Sequence, residues 1–303
     1  MNRGILFILT GFLLGGAAVA NDGDAASAQR LINLSRIAVD EGHLADAFEM
    51  LNRARRNAAP EVWRECTRKM MSLALRLGNA GDAKRLLTEF QKAYPDMDTA
   101  WCRFISGRIA FAEGRLPEAV KILRSAVGDA ALSRDDVVIA WQTMVRANLS
   151  MKQYAEAEAI AAKLQNTADT EAERFWGCSR RIFARIMGEN PASAGEFFQK
   201  RPKTVLESDK HQLDKLELLY WLRTGDFDRF QQAYGRVSAG SSSDSPDELF
   251  FQVNRAAGEY LQNHGRAREG EAYFRKAVSF APGEALQRRT SIQYIDCCIA
   301  AED

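Results

Sequence analysis

Three glycines at a fixed interval constrain this chain more than any other feature. Gly42, Gly78 and Gly114 lie 36 residues apart, and Lys152 takes the equivalent place 38 residues later. Each stands between segments whose apolar residues recur at three- and four-residue spacing, the period of an amphipathic helix. From Trp101 to Ala126 the chain is WCRFISGRIAFAEGRLPEAVKILRSA. That stretch predicts a helix to Ala112, a tight turn at Glu113-Gly114-Arg115 and a second helix from Pro117. Offsets from the marker repeat as well. Five residues beyond it stand Ala47, Ala83, Ala119 and Ala157, and nine beyond it Leu51, Leu87, Leu123 and Ala161. Small residues let two helices approach, and large ones fill the space between them. A lone pair of short helices cannot cover all its apolar faces, so each pair needs a neighbour. Alternating apolar runs are few, so almost no β-sheet is expected.

This pattern resembles the tetratricopeptide repeat family, whose period is about 34 residues. The small residue of position 8 is met by Gly107 and Gly258. Those of positions 20 and 27 are met by Ala47 with Ala54 and by Ala119 with Ala126, and the proline near position 32 by Pro95 and Pro282. The resemblance covers residues 29–165 and returns around Gly265, over 252–283. Between them Gly225-Asp226-Phe227 repeats the turn, but Phe230 stands where a small residue is expected. Around Glu189-Asn190-Pro191 the spacing does not settle the register. The resemblance implies an all-α fold, a right-handed α-solenoid of six or seven stacked helix-turn-helix repeats. A capping helix from Glu284 to Ala301, with apolar Ile292, Ile295 and Ile299, would close it.

The expected organisation is a signal peptide at 1–20, a flexible stretch at 21–28, repeats 1–4 over 29–165 and divergent helical repeats over 166–237. A Ser-rich loop at 238–246 and the last repeat with its cap at 247–303 complete it. Thr170-Glu171-Ala172-Glu173 and Ser245-Pro246-Asp247-Glu248 have the form of capping boxes, the second with proline at the first helical position.

Arg3, the apolar run from Gly4 to Val19 and Ala18-Val19-Ala20 form the three parts of a secretory signal. The run is short for a bilayer span, which needs about 20 apolar residues. Export, to a periplasm or outside the cell, is therefore expected, and no integral membrane segment after cleavage. Lysine and arginine total 41 against 40 acidic residues. So balanced a chain is a poor nucleic-acid binder, which would need a basic excess to neutralise phosphates. The five cysteines, Cys66, Cys102, Cys178, Cys297 and Cys298, are odd in number and include no Cys-x-x-Cys pair. They are expected as small apolar residues of buried helix faces, without zinc or redox chemistry. Neither the three histidines nor any motif suggests catalysis, a metal or a cofactor.

In the tetratricopeptide family the first helices of the pairs line a concave groove through positions such as 2, 5, 9, 12 and 13. The resemblance carries position 9 to Arg36, Ser72, Arg108 and Arg146. Position 5 falls on Arg68 and Phe104, position 12 on Phe111 and position 13 on Arg76. It thus implies a groove of arginines on an aromatic floor, suited to an extended peptide or an acidic chain end, because the guanidinium fork matches carboxylates. Alternatively, these arginines lie on a solvated helix face, paired with Asp40 or Glu65. The lysine/asparagine set of the family's carboxylate clamp is absent. The expected function is a non-catalytic scaffold of the bacterial cell envelope that holds a protein or peptide partner. The second possibility is an enzyme or glycan-binding protein with an aromatic platform of Phe175, Trp176 and Phe183 in the region 171–210. Self-association through the edge of the last repeat is the third.

Overall fold

A computed structural model describes residues 25–56, 58–97, 99–200, 206–239 and 247–302. The signal peptide lies outside the described residues, as does the Ser-rich loop from 240 to 246. The described chain is helical throughout, and it divides into two compact units, Met1–Ala140 and Trp141–Asp303.

In the first unit the helices are α1 (Ala25–Asp40), α2 (Leu44–Ala54), α3 (Pro60–Arg76), α4 (Ala80–Ala93), α5 (Thr99–Ala112) and α6 (Leu116–Val127). Successive helices pack on one another, and α3 also touches α5, so first helices of adjacent pairs meet across a common face. The division falls inside α7 (Arg134–Ser150). The second unit continues with α8 (Tyr154–Asn166), α9 (Glu171–Met187), a 3-10 turn at Pro191–Ala194, α10 (Gly195–Gln199), α11 (Glu207–Thr224) and α12 (Phe227–Ala239). It closes with α13 (Glu248–Asn263), α14 (Ala267–Phe280) and α15 (Glu284–Glu302). There α9 meets α8 and α11, α11 meets α13, and α15 covers α14 and touches α13.

The marker residues do one job. Gly42, Gly78, Gly114, Gly225 and Gly265 have φ between +70° and +85°, and Lys152 has φ +59°. Behind each, the next residue donates to a carbonyl five residues back: His43 to Ala38 at 2.7 Å, Asn79 to Ala74 at 2.8 Å, Arg115 to Ala110 at 2.9 Å and Gln153 to Asn148 at 2.8 Å. Asp226 to Trp221 and Arg266 to Leu261, both 2.8 Å, repeat the bond in the second unit. This is the Schellman helix end, which needs one left-handed residue and therefore favours glycine.

The register left open around Glu189-Asn190-Pro191 has a physical resolution. Gly188 has φ −73°, so no left-handed turn forms there, and the second helix of this pair shrinks to the 3-10 turn and five-residue α10. Phe230 keeps its place by joining an aromatic core, its ring 5.2 Å from Tyr234 and 5.3 Å from Phe227.

Three expectations need correction. The first helix starts at Ala25, inside the stretch 21–28 expected to be flexible. The second capping box is displaced: Asp247 caps α13 by accepting from the Phe250 amide at 2.9 Å, and the helix begins at Glu248. On α15, Ile292, Ile295 and Ile299 are 60%, 56% and 58% exposed, so the helix covers its neighbours with its opposite side.

Candidate functional site

The site is built on the first unit, where α1, α3 and the start of α5 present their inner sides. A groove of about 340 Å³ is lined by Arg36 and Val39 of α1, Arg68, Lys69, Ser72 and Arg76 of α3, and Trp101 of α5. Ser35, Leu51 and Leu73 complete its wall. These positions share a face because 68, 72 and 76 are spaced by four along one helix. The lining holds four cationic side chains and no carboxylate. Lys69 is tied to Glu65 at 2.6 Å. The Arg68 guanidinium lies 4.2 Å from the centroid of the Trp101 ring, in cation–π range. Trp101 itself is only 4% exposed, so it acts as a rigid backing that orients Arg68.

Of the residues carried over by resemblance, Arg36, Arg68 and Arg76 meet in this groove. Arg108 follows on α5, largely enclosed. Burial pushes its guanidinium below the usual arginine range, an effect that Asp136 opposes and Arg76 adds to. Arg76 and Arg108 therefore lie within electrostatic reach of each other. Phe104 does not form a floor: it has no exposure, and the Arg108 guanidinium lies 5.4 Å from its ring centroid. Phe111 is half-buried and lines no part of the groove. The aromatic element is instead Trp101, at position 2 of its repeat, one of the same family groove positions. Arg146 is exposed on α7 in the second unit, where it is an electrostatic neighbour of Arg180. Burial lowers the Arg180 pKa first, Glu248 opposes that and Arg146 adds to it. Arg180 was not anticipated because its burial arises from the packing of α9.

The aromatic platform at 171–210 is not assembled. Phe175 and Phe183 pack on the large core of the second unit, while Trp176 turns to a separate cluster with Val145, Ala161 and Ala184. Successive residues of a helix point in different directions, so Phe175 and Trp176 cannot share a face. His43 and His264 sit in turns, the latter stacked on Tyr260 at 4.1 Å. The five cysteines are free thiols, and among the described residues no cluster of His, Cys, Asp and Glu is arranged to hold a metal ion. No described helix is long and apolar enough to cross a membrane.

No protein-family model matches the sequence, and no curated protein matches it either. Solved structures do. A tetratricopeptide repeat protein from Parabacteroides merdae aligns with a TM-score of 0.62 at 15% identity, over 89% of this chain and all of that one. The selenomethionine form of phAimR aligns with a TM-score of 0.56 at 15% identity, over 89% of this chain and 69% of that one. At such identity the likeness speaks for the fold: an all-α array of tetratricopeptide-like helix pairs.

Proposed function

We propose that this protein is a non-catalytic adaptor, exported to the cell envelope or beyond, that holds an extended acidic segment of a partner protein in the groove of its first unit. The export rests on the N-terminal sequence, and the partner chemistry rests on the groove. The observation that carries the second is the meeting of Arg36, Arg68 and Arg76 over an apolar wall of Val39, Leu51, Leu73 and Trp101, with no acid in the lining. Arginine forks bind carboxylates bidentately, and the wall accepts an apolar side chain beside them. About 340 Å³ accommodates a residue or two of a peptide, so recognition runs through a short anchor. The lining side chains stand on packed helices, which keeps the ordering cost of binding small.

The test is affinity capture from native envelope material with mass spectrometry, comparing the wild type with Arg36→Glu/Arg68→Glu/Arg76→Glu. A genuine partner should be depleted on the order of tenfold or more in the variant, since each lost charge-assisted contact costs about 1.5–3 kcal/mol. The helical melting curve should be preserved. Equal recovery with the reversed charges rules out this groove as the binding site.

A further inference from the structure

The outer side of α15 presents large apolar side chains that no described element covers. Here the inner side, with Thr290 at 1% exposure and Cys297 fully buried, packs on the preceding pair. Cys297 Sγ donates to the Ala267 carbonyl at 3.1 Å, and Tyr294 packs beside Phe274. At about 100° per residue, Ile292, Ile295 and Ile299 fall on the opposite side. All three are more than half exposed, and exposed Ala285 and Arg288 extend the same stripe.

We propose that this stripe is the contact between two copies of the chain, which pair α15 against α15 in antiparallel fashion about a two-fold axis near Ile292 and Ile295. Charge selects that partner and that direction. Arg289 and Asp296 are both exposed and lie about two turns apart on the same flank of the stripe. In an antiparallel pair, residues of one flank meet the same flank of the other copy. Arg289 of each copy then stands opposite Asp296 of the other, twice. A parallel two-fold pair would set this flank against the opposite one, where Arg289 and Asp296 do not meet. The contact is self-complementary, as a two-fold interface must be.

Size sets the strength. Nineteen residues span about 28 Å, and a strip about 10 Å wide covers roughly 600 Å² over both copies, short of the ~1,200 Å² of standard interfaces. The contact is accordingly a weak, concentration-dependent one. The pairing is independent of the groove in the first unit, and each can fail alone.

Sedimentation equilibrium of the full chain from about 1 to 200 μM tests it. The mass should climb from that of one 33.8 kDa chain towards twice that value. Ile295→Asp should weaken dimerisation at least about tenfold while leaving the melting temperature in place, because the side chain is already exposed. Arg289→Asp and Asp296→Arg should each weaken it about tenfold, and the two together should restore it to within about threefold. Ile37→Asp, in the exposed apolar patch of α1, should change nothing. A monomer at every concentration, an assembly larger than a dimer, sensitivity to Ile37→Asp, indifference to Ile295→Asp or absence of charge rescue would each overturn the proposal.

Discussion

At the scale of single residues, the spacing between helices is tuned by pairs that trade volume. Gly107 faces Leu123 and Gly258 faces Phe274, at the same two repeat positions. A Cβ on Gly107 would come 2.6 Å from Leu123 Cγ, and one on Gly258 2.8 Å from the Phe274 ring. In the fourth pair the sizes are reversed, with Val145 packed in one cluster with Ala161. Gly177 is tighter in kind, since its Cβ would meet backbone: Gln165 N at 2.8 Å and Ala161 O at 2.9 Å. A buried side chain such as Leu123 gives way at some cost, and the backbone of a packed helix gives way less. Alanine also gains about 1 kcal/mol over glycine in helix propensity. Gly107→Ala, whose Cβ would crowd both the buried Leu123 side chain and its backbone N at 3.3 Å, should lose about 1 kcal/mol, and Gly177→Ala should lose more, about 2–3 kcal/mol. Thermal melts that rank the two the other way would contradict this packing.

Burial also sets a pH limit. Cys66 has no exposure, and desolvation pushes its thiol up to about 11. The native state keeps this proton after the unfolded chain, near its ordinary value of 9.0, has lost it. Stability is thus whole below about pH 9 and falls by about 1.4 kcal/mol per unit as pH rises towards about 11. Cys178 and Cys297 are raised for the same first cause. Denaturant titrations at rising pH should show a shallower alkaline decline in Cys66→Ala than in wild type, whatever the offset from the cavity it leaves.

At the scale of elements, helix ends decide where one pair stops and the next begins. Thr170 caps α9 by accepting from the Glu173 amide at 3.1 Å, and Glu173 accepts in return from the Asp169 amide at 3.2 Å. Asp247 does more. Besides capping α13 it pairs with Lys215 of α11, and both side chains are largely buried. It therefore joins the first helices of two successive pairs. Asp247→Ala should cost about 1–3 kcal/mol, a cap together with part of an ion pair. Asp247→Asn, which keeps the cap and drops the charge, should cost less. Equal losses in chemical denaturation would show that the ion pair with Lys215 alone matters.

At the scale of the whole molecule, the charges nearly cancel, 41 against 40, yet they are sorted locally. The groove of the first unit is cationic, and the flank of α15 carries one charge of each sign. Such local fields act over a Debye length of about 8 Å at physiological salt. The partner captured through Arg36, Arg68 and Arg76 should accordingly be released as salt rises towards about 1 M, where that length shrinks to ~3 Å. An apolar contact along α15 should persist under the same conditions. Binding to the first unit that ignores salt would point away from the arginines.

The helices and their turns were legible in the amino-acid sequence, because period and turn chemistry are local. A left-handed residue every 36 or so positions, small and large residues at fixed offsets and a threonine before an acidic first turn each act within a few residues. What surrounds a side chain is decided by neighbours distant in sequence, and only the tertiary structure could show it. Phe104 lies under Arg108 and leaves the groove, while Trp101 takes its place as the backing for Arg68. The three isoleucines of the final helix have the spacing of a buried stripe, and packing turns them outward. A helical period states which residues share a face, and only the packed neighbours determine whether that face meets protein or water.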